Sequence, residues 1–131
     1  MTDRPTAAEL IDAVRHYLET ELLPGLTDAR LRFQTLIAAN VLAIVGRELP
    51  AEEGLLREEW AWLSHLLAWS RPAPERLADL RQDVRAANVE LCEKVRDGAF
   101  DEPAWFREVA DVLRRTVVRK LEIANPKYLK A

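Results

Sequence analysis

Four side chains able to carry charge or amide chemistry interrupt faces that are otherwise apolar: Asn40, Glu48, Lys120 and Glu21. Asn40 is the polar residue in "LIAANVLAIV" (36–45), whose other nine residues are apolar. At about 100° per residue it shares a helical face with Phe33, Ile37 and Ile44. Lys120 projects between the directions of Val109 and Leu113. Glu21 falls in the apolar arc of the first helix, and Glu48 faces the core side at the end of the second. A buried lysine needs a carboxylate or loses its charge. Glu48 and Glu21 are the candidate partners. Two readings follow. In one, the charges form a structural ion pair and Asn40 fixes helix register. In the other, Asn40, Glu48 and Lys120 line a small polar pocket that binds an anion or runs acid–base chemistry. No motif spacing ties them together, so no residue is assigned as catalytic.

Other site chemistries find little support. The two histidines, His16 and His65, stand in no His-x-x-x-His or Glu-x-x-His pattern, so no metal site is expected. Cys92 is the one cysteine and reads as a small hydrophobe on the fourth helix. No glycine-rich phosphate loop and no Gly-x-Ser-x-Gly elbow occur, so no cofactor is expected. The basic run "RRTVVRK" (114–120) spreads around its helix near the C-terminal end, where cations are favoured. With a net charge of −3, general nucleic-acid binding is not expected.

These residues sit on helices throughout. Thr6 and Glu9 make a Thr-x-x-Glu capping signal. Leu10, Ile11, Val14, Tyr17, Leu18 and Leu22 then follow at helical spacing, and Pro24-Gly25 stops the run. The spacing predicts helices near 6–23, 28–49, 51–70, 74–97 and 102–124. The breaks fall at Pro24-Gly25, Pro50, "RPAP" (71–74) and Gly98. The second helix is apolar nearly all round and reads as the buried central one. Leu77, Leu80, Val84, Ala87, Leu91 and Val95 form a narrow seam on the fourth. Trp105, Val109, Val112, Leu113, Val117 and Ala124 line the fifth. Short connections predict mostly antiparallel packing. The expected architecture is all-α: one domain, 1–131, a bundle of about five helices with 49% hydrophobic and 31% charged residues.

"EWAWLSHLLAW" (59–69) carries more apolar surface than one core face needs. Trp62 and Trp69 share one edge, and Trp60 points about 160° from Trp62. Either the third helix packs on two sides, or a tryptophan edge is a protein interface. A lone cysteine and the lack of an apolar leader point to the cytoplasm. The apolar run is shorter than the roughly 20 residues a bilayer needs, so no membrane association is expected.

Three stretches, "RPTAAELIDAVRHYLETELLP", "LRFQTLIAANVLAIVGREL" and "KLEIANPKYL", resemble a family of small bacterial helical proteins described only as a domain of unknown function. The resemblance covers nearly the whole chain. It implies an accessory role in a catabolic or acyl-processing pathway. Genes of that family often neighbour an aminoglycoside-phosphotransferase-like kinase and an acyl-CoA dehydrogenase. A partner of either kind is therefore expected, and the wide apolar arc of the third helix makes a homo-oligomer a further expectation. Gln34 stands where the family often has histidine, and no site residue is carried over.

Overall fold

A computed structural model describes residues 3–130. The chain is all-helical, with four α-helices among the described residues: α1 (Ala7–Tyr17), α2 (Ala29–Leu66), α3 (Leu77–Arg96) and α4 (Pro103–Ala124). The second and third predicted helices are one. α2 runs for 38 residues, with Pro50 inside it. Proline removes one backbone donor and crowds the carbonyl four residues back, yet the helical bonds on either side carry α2 across it.

The backbone packs as two units. One is the chain up to Ala51 with Ile123–Asn125; the other is Glu52–Glu122 with the segment from Pro126 on. The sequence reading treats 1–131 as one domain.

In the first unit, Thr6 caps α1 by accepting from the Glu9 N–H at 3.2 Å. The Glu9 carboxylate accepts from the Thr6 hydroxyl and from Arg4, and Arg4 is the larger cause of its lowered pKa. The chain then widens into a π-type turn, Leu18–Leu22, and tightens at Leu23–Gly25. Asp28 caps α2 by accepting from Leu31 N–H at 3.0 Å. Arg32 donates to the carbonyls of Leu23 and Leu26, tying down the connection. Further along, Ile11 of α1 lies beside Gly46 of α2. Arg47 donates to the carbonyl of Ile123 at 2.7 Å.

The second unit holds the hydrophobic core. Trp60, Leu63, Leu66 and Leu67 of α2 and the residues just after it pack with Leu80, Val84, Ala87 and Leu91 of α3. Phe100, Val109 and Val112 complete it. Four of the six predicted seam residues of α3 are buried here, whereas Val95 is exposed. On α4 only Val109 and Val112 of the predicted inner face are buried; Trp105, Leu113 and Val117 are exposed.

α2 ends at Leu66, short of the expected Ser70. The chain turns there at Ala68, with φ 55°, while Trp69 N–H donates to the Ser64 carbonyl at 2.9 Å. This left-handed cap position suits glycine, because a Cβ crowds the following carbonyl. α3 ends the same way with a glycine in place, Gly98 at φ 84°. Ala68→Gly is expected to raise stability by about 1 kcal/mol, measured as a shift of the urea midpoint at unchanged slope. A lower midpoint would mean that the alanine methyl makes a contact outweighing the strain.

Candidate interaction surface

The four polar residues singled out above do not meet in a buried site. Asn40 and Glu48 are exposed on α2, and Glu21 is exposed in the π-type turn. Lys120 is also exposed, its side chain at 68%. The carboxylate near it is Glu59, with Nζ to Oε1 at 4.0 Å, and not Glu48 or Glu21. The expectation of a buried lysine is thus corrected. Lys120 lies near the C-terminal end of α4, where a long stem reaches water.

Glu59 was missed. It is 8% exposed and accepts from Asn88 Nδ2 at 3.1 Å, while Asn88 also donates to the Val84 carbonyl at 3.0 Å. Its spacing from Leu56, Leu63 and Leu66 already put it on the core face. Beside it, Arg119 bonds Glu58 at 3.0 Å and Glu122 at 3.3 Å, and both carboxylates raise the guanidinium pKa. Arg81 bonds Glu52 at 2.8 Å and is the main reason that the Glu52 pKa is lowered. These contacts join α2 to α3 and α4. Of these groups only Glu59 is buried; the arginine pairs are partly open to solvent, where an ion pair contributes little.

The tryptophans are engaged within the second unit. Trp60 is buried and donates to Asp83 Oδ2 at 3.2 Å. Trp69 donates to Glu90 Oε2 at 3.0 Å, and Arg71 lies 4.0 Å over its ring. Trp62 is partly buried against the core and faces Arg115. Trp60, Trp62 and Trp69 thus all have contacts inside the second unit, the first of the two arrangements expected for them, and each indole N–H of Trp60 and Trp69 has an acceptor.

Apolar surface is left exposed in both units: Phe106, Leu113 and Val117 form a stripe on α4 in the second, and longer stripes lie on α1 and α2 in the first. The first half of α2, expected to be the buried centre, has one fully buried residue, Ala39. Phe33 is 63% exposed, and Leu36, Ile37 and Val41 are about half exposed. Along α1 and the π-type turn that follows it the apolar face divides. Ile11, Leu18 and Leu22 are half-buried, whereas Leu10, Val14 and Tyr17 are each more than half exposed. These are stripes at helical spacing, and not the scattered single residues that any surface shows. α2 is long and apolar enough to cross a membrane by length and composition alone, with 6% of its apolar window buried. The expectation drawn from the apolar run considered only 36–45, which the continuous helix extends.

Among the described residues no group of three or more metal-ligating side chains occurs. An open groove lined by Gln82, Arg85, Val89 and Glu93 lies along α3 alone and encloses nothing.

Fold and surface together define an all-helical chain with a packed core in the second unit and exposed apolar helical stripes, the longest of them on α2 in the first. The chain belongs to the family described as Domain of unknown function (DUF6285), which matches residues 24–128. The first stretch quoted for the resemblance therefore lies almost wholly outside the matched residues. Comparison with curated proteins finds no match, and neither does comparison with solved structures.

Proposed function

We propose that this chain is a non-enzymatic helical interaction module whose first unit docks on another protein surface. The observation supporting this is the pair of apolar stripes, above all Phe33, Leu36, Ile37 and Val41 on α2. Water against such stripes is displaced when a complementary face covers them, and that is the main favourable term in association. The setting proposed with it is a catabolic or acyl-processing pathway, and a kinase-like or acyl-CoA-dehydrogenase-like protein is a partner to look for.

Ile37→Glu is the discriminating change. Ile37 is about half exposed, so the substitution is expected to alter folding stability by no more than about 0.5 kcal/mol. A charge at the centre of a docked apolar stripe is expected to weaken association at least about 30-fold. The test is tagged protein recovered from its host at native level, wild type against Ile37→Glu, with circular dichroism as the folding control. Co-purification of a protein, this chain included, by the wild type alone is the expected result. A wild type that is monomeric and retains no protein, or a variant that retains it equally, would sink the reading.

A further inference from the structure

The stripe on α2 has ends as well as a middle. Arg30 precedes it and Glu48 follows it, and both are exposed. They are 18 residues apart, which is five whole helical turns of about 3.6 residues. They therefore lie on one line along the helix, about 27 Å apart. Ile37, Val41, Ile44 and Phe33 fall within about 60° of that line. Between Phe33 and Gly46 the sequence has no charged residue. Neither Arg30 nor Glu48 makes an ion pair or side-chain hydrogen bond among the described residues, whereas Arg32 and Arg47 are taken by backbone carbonyls. Arg30 also stands in the first turn of α2, where the helix dipole disfavours a cation.

From this we infer that the stripe is covered by the same stripe of a second copy, the two α2 segments running in opposite directions. The inference rests on the interaction reading above and names its partner. The charges choose the orientation. Side by side in the same direction, Arg30 would meet Arg30 and Glu48 would meet Glu48. In opposite directions, each Arg30 meets the partner's Glu48, twice, about one two-fold axis, as an isologous contact requires.

The axis falls at residue 39, midway between the charged ends. Asn40 is next to it, on the edge of the stripe, so the two Asn40 amides lie on the same side of the seam. An amide both donates and accepts, so it is complementary to itself. A single polar residue in an apolar seam fixes register and partner number. That is a role for an exposed asparagine inside so apolar a stretch. Covering the stripe and its shoulders removes on the order of 500 Å² from water on each copy, near the total of about 1,000 Å² at which specific interfaces begin. The dimer is accordingly a weak, reversible one.

The test uses the full chain and two charge reversals, Arg30→Glu and Glu48→Arg, both at exposed positions. Sedimentation across concentration should show a wild-type dimer in exchange with monomer. Each reversal alone places like charges at both ends and is expected to raise the dissociation constant about tenfold. Mixed in equal amounts, the two variants regain opposite charges at both ends. Native mass spectrometry should then show the mixed dimer in excess over either homodimer.

A wild type that stays monomeric at about 100-fold above a micromolar dissociation constant would overturn the proposal. So would reversals without effect on the dimer and no preference in the mixture. If the monomeric wild type still retains another protein through Ile37, the interaction reading stands and the second copy is eliminated. Flotation with phosphatidylcholine–phosphatidylglycerol vesicles, lost in Ile37→Glu, by a chain monomeric in solution assigns the stripe to lipid and eliminates both.

Discussion

Leu80→Ala is expected to lower the unfolding free energy by about 3 kcal/mol. Leu80 has no exposed surface. It sits on α3 one turn before Val84, in the cluster that holds Trp60, Leu63 and Leu91. Removing its isobutyl group loses the transfer energy of the deleted carbons and leaves a space that two-sided packing cannot refill. For a chain of this length the midpoint of thermal unfolding should fall by about 10 °C. Leu10→Ala is the matched control. Leu10 is 53% exposed, so the same deletion there should cost under about 1 kcal/mol. Urea titrations of both variants against wild type give the comparison. Equal losses would mean that the core is not where α3 meets the second half of α2.

The seam on α3 was legible because its spacing left few alternatives. Leu80, Val84, Ala87 and Leu91 recur on one narrow stripe, and a narrow stripe on a polar helix has one way to leave water. Thr6 was legible for a similar reason, since a cap acts on backbone groups a few positions away. The stretch around Asn40 was misread. Periodicity reports which residues avoid water. It cannot report whether the covering surface belongs to the same molecule. A helix apolar on most sides is usually central, yet here Phe33, Ile37 and Val41 are left uncovered. For the tryptophans the pattern left two outcomes open, packing on two sides or an interface. Their surplus apolar area is absorbed inside the second unit because Asp83 and Glu90 on α3 accept from the Trp60 and Trp69 indoles. Those acceptors lie 23 and 21 residues away in sequence, and no local pattern connects them. Lys120 was assigned to carboxylates on the strength of its helical direction, but direction alone does not say how far a flexible stem travels before it meets water.

Pro50 is where local chemistry and the fold disagree most, and replacing it should be stabilising. Pro50→Ala is expected to raise the unfolding free energy by about 1–3 kcal/mol. α2 continues through this position, so the Gly46 carbonyl is denied its usual N–H partner and faces the pyrrolidine ring instead. Alanine restores the donor, removes the crowding and carries the best helical propensity. Pro50→Gly separates the terms. Glycine restores the same donor but keeps the backbone entropy that alanine lacks, so it should gain about 1 kcal/mol less. The position is exposed, so neither variant loses buried contacts. Urea unfolding of the three proteins at one pH gives the ranking alanine above glycine above proline. The proline lies one residue before the end of the first unit, which closes at Ala51. A loss of stability in both variants would mean that the fixed backbone angle of proline favours the folded chain, and that the missing hydrogen bond is the lesser effect. The same samples test the association independently, because Pro50→Ala leaves Arg30, Ile37 and Glu48 in place and should leave the dissociation constant unchanged.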